Sequence, residues 1–222
     1  MNVIITGATG MVGKGVLFEC CDHPKVDRVL SISRRPCGET HPKLEEVLHT
    51  DFSEFESISD KLVGFDTCFS SMGVSAAGMD EAKYTRLTHG TTLALAREVI
   101  KHNPKATFIY VSGQGTDSTE KGRQMWARVK GKTENDLLKL GFEKCFVFRP
   151  GAIIPLRGIQ PSSKLYRVLI NNLGWLIKLI KFVSPNSVVD TSQIGKAMIN
   201  AHLKGYSKEV ITPKDMLLLS SN

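Results

Sequence analysis

At 222 residues and 41% apolar side chains, the chain has the size and composition of one well-cored globular domain. Its five cysteines include no CxxC pair and its six histidines no ligand spacing, so buried thiols are expected and a metal site is not. The net charge of +7 raises nucleic-acid binding, but residues 160–222, with eight basic and three acidic side chains, hold them scattered and without a run interleaved with aromatics. A solvated basic face, or attraction for a phosphorylated small molecule, is expected instead, with no nucleic-acid partner.

In chain order, the first element is an apolar strand, Val3 to Thr6, with no basic region, long apolar run or small-residue cleavage site, which predicts a cytoplasmic protein. Short runs rich in β-branched or aromatic residues recur at Arg28 to Ile32, Glu46 to His49, Thr67 to Phe69, Thr107 to Val111 and Cys145 to Phe148. Stretches long enough for crossover helices separate them. One, from Asp80 to His102, carries Leu87, Thr91, Ala94, Leu95 and Val99 at helical spacing and ends against Asn103-Pro104. The alternation predicts an α/β fold, a doubly wound parallel sheet of the Rossmann kind.

Beyond Arg149-Pro150-Gly151 the pattern changes. A helix is predicted from Lys164 to Val183, apolar along Leu165, Val168, Leu169, Leu173, Leu176, Ile177 and Ile180. Asn171, Asn172, Lys178 and Lys181 make it too polar for a membrane span, so it is expected as a lid or core helix that could also meet a protein partner. The expected organisation is a single domain over residues 1–222, with a cofactor-binding core in 1–150 and a lid or substrate region in 151–222.

The segment Gly7-Ala8-Thr9-Gly10-Met11-Val12-Gly13 follows the first strand and opens a helical stretch through Val16, Leu17 and Cys20. Glycines at such a turn permit its sharp bend, let the backbone approach a pyrophosphate and let the helix pack closely on the sheet. The free N–H groups of the helix then face the phosphates. Gly13-Lys14-Gly15 lacks the Ser or Thr of a P-loop, which argues against ATP or GTP. The second strand runs out into Ser33-Arg34-Arg35, where NAD would call for a carboxylate on its ribose and NADP for an arginine on its 2′-phosphate. NADP(H) is therefore expected in preference to NAD(H).

These residues, together with Asp51-Phe52, Ser70-Ser71-Met72-Gly73, Tyr110-Val111-Ser112-Gly113, Phe148-Arg149-Pro150-Gly151 and Val188 to Ala197, resemble the atypical short-chain dehydrogenase/reductases over nearly the whole chain. That group includes regulators of the nitrogen-repression type, Tat-interacting-protein relatives and nucleoside-diphosphate-sugar epimerases. The resemblance implies that Asp51 and Phe52 lie near the adenine, that Ser71, Met72 and Gly73 line the cofactor, and that Pro150, Gly151, Ala152 and Ile153 lie by the nicotinamide. It also implies a Tyr-x-x-x-Lys pair on one helix. Here Lys130 matches the lysine but Trp126 stands at the tyrosine position, and an indole does not titrate usefully near neutral pH. Lys130 would still hold the ribose, Ser112 matches the assisting serine, and Trp126 either stacks on a ligand or simply packs. Tyr84 is a further candidate for the missing phenol.

Three readings stay open: an NADP(H)-dependent oxidoreductase or sugar-nucleotide epimerase acting on a small carbonyl or alcohol, a non-catalytic NADP(H)-binding redox sensor, and a phosphate-binding or nucleic-acid-associated scaffold without cofactor.

Overall fold

The computed structural model describes residues 1–160 and 185–221, so the helix expected at Lys164 to Val183 lies outside the described residues. The strands are β1 (Asn2–Thr6), β2 (Arg28–Ser33), β3 (Leu44–Leu48), β4 (Thr67–Ser70), β5 (Thr107–Val111), β6 (Lys144–Phe148), β7 (Ala152–Ile154), β8 (Val188–Asp190) and β9 (Val210–Ile211). Seven of them form one sheet in the order β3-β2-β1-β4-β5-β6-β9, every neighbouring pair parallel. The chain winds outward from β1 in both directions, which is the doubly wound Rossmann arrangement expected from the sequence. β7 and β8 make a separate two-stranded parallel ladder.

The helices are α1 (Met11–Asp22), α2 (Glu81–Thr85), α3 (Thr91–His102), α4 (Met125–Leu138), α5 (Thr191–Lys204) and α6 (Pro213–Ser221). Strands buried on both faces read as continuous apolar runs, because each alternate side chain meets a different helix layer. Val3, Ile5, Ile109 and Phe148 pack with Val16 and Leu17 of α1 and with Ala197, Met198 and Met216 of α5 and α6. Ile4, Phe108, Tyr110 and Val147 pack on the opposite side with Leu93, Leu95 and Val99 of α3 and Leu137 of α4.

Two differences from the expected elements have local causes. The Asp80 to His102 helix carries a π-helical turn, Arg86–Gly90, between α2 and α3, which adds a residue to the turn. The third strand begins at Leu44 rather than Glu46, because β3 is a sheet edge held by register on β2, with little burial of its own.

Helices α1 and α5 approach closely: a Cβ at Gly15 would lie 2.5 Å from the Thr191 Cβ, and one at Gly195 2.7 Å from the Glu19 side chain. Beside them, Asp215 of α6 is buried and accepts hydrogen bonds from Lys208 Nζ and Tyr206 Oη at 2.8 Å, Thr212 N at 3.0 Å and Thr212 Oγ1 at 2.5 Å. Burial alone would raise its pKa, but these donors outweigh it and hold the carboxyl well below the usual carboxylate range. A depressed folded-state pKa contributes stability that is complete above the unfolded value, near 4, and is lost as pH falls toward the folded one. Asp215→Asn is expected to cost about 1–3 kcal/mol at neutral pH. In thermal unfolding the gap to the parent should narrow as pH falls from about 4 to about 2.

Candidate cofactor and active site

The glycine turn sits between the carboxyl end of β1 and the first turn of α1. Gly7 has φ +82°, and a Cβ there would lie 2.6 Å from the Ser71 carbonyl oxygen, so glycine is required by conformation and by space. A Cβ at Gly13 would lie 2.1 Å from the Gly7 carbonyl oxygen, which pins the start of α1 against the turn. At Gly10 the nearest atom to a Cβ is the Gly7 oxygen at 3.3 Å, so the fold alone leaves room there. The amide of Gly10 closes the turn onto Gly7 O at 2.8 Å. No side chain caps α1 and its first turn, opening at Met11 and Val12, carries no acid, so its leading N–H groups remain available to an anion. Thr9 is exposed at the tip and Ala8 is buried behind it. Thr6 and Ser70 Oγ, and Ser71 Oγ beside them, are buried without a hydrogen-bond partner among the described residues. A cradle that only glycine permits, next to uncapped amides, fits a dinucleotide pyrophosphate.

Beyond the turn, over the ends of β2 and β4, lies a cavity of about 350 Å³. Its walls include Arg34, Asp51, Phe52, Met72 and Gly73, which the sequence had pointed to, and also Arg86 from the π turn, which it had not. Arg34 and Arg86 are exposed, and neither is held in an ion pair among the described residues. Arg35 is also exposed but does not line this cavity; its carbonyl instead accepts the Ser33 hydroxyl at 2.5 Å. The loop that carries both arginines is braced by Lys14, whose ammonium donates to Cys37 O and pairs with Glu39, each at 2.6 Å. Asp51 is drawn below the usual carboxylate range by hydrogen bonds from the Ser53 hydroxyl and amide.

The second half of the site surrounds the first turns of α4. Trp126 and Lys130 stand four residues apart on one helix face. The Trp126 ring packs on the 113–116 loop, 3.3 Å from where a Gly115 Cβ would be. The Ser112 hydroxyl is buried, 3.0 Å from Thr116 Oγ1. Thr116 Oγ1 donates its one proton to Gly113 O at 2.8 Å, so Ser112 must donate to Thr116 and has no proton left for a substrate. Desolvation by burial brings the Lys130 amine down from 10.5 to about 8, against the opposing pull of Glu134 one turn along. Its hydrogen bond goes to Tyr110 Oη at 3.4 Å, from below on β5. Tyr84 is 2% exposed, and burial raises its pKa, so it is enclosed in the core and not offered to a pocket.

Pro150 is buried, and its carbonyl accepts Gln114 N at 2.9 Å. Gly151 passes so close that a Cβ would lie 2.5 Å from both Gln114 Oε1 and Ser187 O. Ala152 and Ile153 then enter the ladder of β7 on β8. This places residues 150–153 beside the 113–116 loop, at the carboxyl end of β6 and away from the cavity that holds Arg34.

Among known proteins, the chain is 31% identical over 217 residues to the protein fmp52, mitochondrial, of Emericella nidulans, covering 94% of this chain and 90% of that one. It is 26% identical over 229 residues to the Candida albicans protein of the same name, covering 99% and 94%. No family model matches. In fold it is similar to a short-chain dehydrogenase/reductase of Saccharomyces cerevisiae, with TM-score 0.67, 15% identity and coverage of 99% and 98%. It is likewise similar to the Bordetella bronchiseptica enzyme WbmH in complex with NAD+, with TM-score 0.66, 17% identity and coverage of 90% and 71%. The mitochondrial names of the relatives overturn the cytoplasmic expectation drawn from the first residues. The chain belongs to the family of the Fmp52 proteins and has the Rossmann fold of the short-chain dehydrogenase/reductases.

Proposed function

We propose that this protein binds NADP(H) along the carboxyl ends of β1, β2, β4 and β5, in mitochondria, and serves as an oxidoreductase on a small carbonyl or alcohol. The observation that carries the reading is the pair Arg34 and Arg86 on one cavity past the glycine turn, exposed and without ion-pair partners among the described residues. Two guanidinium groups at the adenosine end suit the 2′-phosphate, whose oxygens accept paired N–H donors. Asp51, in the same cavity, suits the adenine amino group as a hydrogen-bond acceptor. When bound, the cofactor supplies the hydride. Lys130 holds the ribose hydroxyls, and Trp126 with the 113–116 loop walls the reacting face.

A sensor without turnover is the second reading, favoured by Trp126 at the phenol position and by the committed proton of Ser112. Fluorescence titration with NADPH and NADH separates these claims from a bare fold. Arg34→Ala and Arg86→Ala should each weaken NADPH by about 10- to 100-fold, the loss of one charge-assisted bond, and leave NADH within about threefold. Arg35→Ala should change either by less than about threefold. Absence of saturable binding to both nucleotides in the parent protein would refute the cofactor assignment.

A further inference from the structure

Resting on the oxidoreductase reading, we infer that Lys130, positioned from below by the Tyr110 hydroxyl, is the group that exchanges a proton with the substrate, in the role that Trp126 cannot fill. The argument begins with what the other candidates have lost. Trp126 presents an indole, which does not titrate usefully near neutral pH. The Ser112 proton is held by Thr116, and the phenols of Tyr84 and Tyr110 are closed in the core. Lys130 alone on this face of α4 keeps both a labile proton and partial exposure.

Its surroundings leave it uncommitted. The one carboxylate on its own helix face, Glu134, is buried and bound by Arg149 from β6, which donates Nε to both carboxylate oxygens at 3.1 Å. Asp136 is occupied by His89 of the π turn and by Lys132, each at 2.8 Å, and Glu81 of α2 by Arg128 at 2.6 Å. From the sheet, Tyr110 meets the amine, with Nζ 3.4 Å from its oxygen and 5.3 Å from its ring centre, and Tyr84 lies near enough to influence Tyr110 in turn. Of these charges Glu134 is the one that acts on Lys130, and the dominant influence is desolvation, which leaves an amine able to give and take a proton near neutral pH. The neutral phenol accepts from the ammonium and so holds the charged form against that desolvation.

In the reductive direction an N–H bond of the Lys130 ammonium breaks and its proton goes to the carbonyl oxygen. With a bound nicotinamide supplying hydride to the carbon, the carbonyl π pair would become the new O–H bond, leaving the alcohol, the oxidised cofactor and a neutral Lys130 amine that regains its proton from water. Reduction therefore needs the charged lysine, and its rate falls as pH rises through the Lys130 midpoint. Tyr110→Phe keeps the ring and removes the acceptor, so the midpoint moves down.

The test is a titration of the lysine Nζ signals of labelled protein by NMR, Lys130 being assigned by its loss in Lys130→Met. NADPH-dependent reduction of 4-nitrobenzaldehyde to its alcohol is followed from about pH 6 to about pH 10. The expected result is a Lys130 midpoint near 8, lower in Tyr110→Phe, with the alkaline limb of kcat moving in the same direction. Lys130→Met should lose about 100-fold or more in kcat. A Lys130 midpoint above about 10, a midpoint and limb unmoved in Tyr110→Phe, or a kcat of Lys130→Met within about threefold of the parent would overturn the inference. Absence of NADPH binding, or of aldehyde reduction, in the parent protein is a failure of the cofactor or oxidoreductase reading instead, and the NMR titration still reports on the Tyr110–Lys130 pair.

Discussion

A single methyl group at position 13 is expected to weaken cofactor binding severely and to cost about 3 kcal/mol or more of stability, the upper end of what overpacking does. A Cβ there would lie 2.1 Å from the Gly7 carbonyl oxygen, 2.5 Å from its carbon and 2.9 Å from Ala8 N. All three contacts are backbone atoms of the turn, so no rotamer change relieves them, and α1 must move away from β1. The amides that would meet the pyrophosphate move with it, and Gly13→Ala should weaken NADPH by about 100-fold or more while lowering Tm by about 6–12 °C for a chain of this size. Two neighbouring glycines make the comparison diagnostic. Gly10→Ala meets the Gly7 oxygen at 3.3 Å and should leave Tm within about 3 °C, yet weaken NADPH about tenfold or more by placing a methyl where the pyrophosphate approaches. Gly15→Ala strikes Thr191 across the α1–α5 contact and should lower Tm while changing NADPH affinity by less than about threefold. A Gly13→Ala protein that binds NADPH normally would show that the turn is not the phosphate cradle.

The reason this turn was legible in the sequence is that its demands are local. Gly7 needs a positive φ, Gly7 and Gly13 need missing side chains, and an apolar strand and a helix lie immediately on either side, so residue type and order carry the whole message. The strands of the sheet interior were legible for a similar reason, since burial on both faces leaves them rich in apolar and β-branched residues. β7, β8 and β9 were not, because elements of two or three residues are specified by the partner strand they register on rather than by their own pattern. Arg86 was invisible for another reason. Read along its helix it is one surface cation among many, and nothing in its spacing shows that it shares a cavity with Arg34. Arg35, by contrast, looks equivalent to Arg34 in sequence, but alternate residues leaving a strand end point in different directions, and it stays off the cavity. Tyr110 reads as an ordinary buried strand residue, and nothing in its neighbours along the chain announces that Lys130, twenty residues on, reaches its hydroxyl.

The buried pair of Glu134 and Arg149 yields the second large effect. Glu134 has a side chain 2% exposed on α4, and Arg149, 19% exposed at the end of β6, binds it through Nε and Nη2 while a further bond reaches Ser118 Oγ at 2.5 Å. This cluster ties the sheet, α4 and the 113–118 loop together just below Trp126 and Lys130. Glu134→Ala leaves a guanidinium largely enclosed without its counter-ion, which costs about 3–5 kcal/mol when the partner is fully buried, and nearer about 3 here because Arg149 keeps some contact with water. That corresponds to a fall in Tm of about 6–12 °C. Replacing both members by apolar residues of similar volume, Glu134→Leu with Arg149→Met, removes the stranded charge and should recover at least half of the loss, because desolvation opposes much of the pair's attraction. The double-mutant cycle on Tm therefore reads the cost of an orphaned charge separately from the worth of the pair. If Glu134→Ala were to unfold within about 2 °C of the parent, the ion pair would not be what fastens the loop over α4, and the position of Lys130 would have to be set by the α4–sheet packing alone.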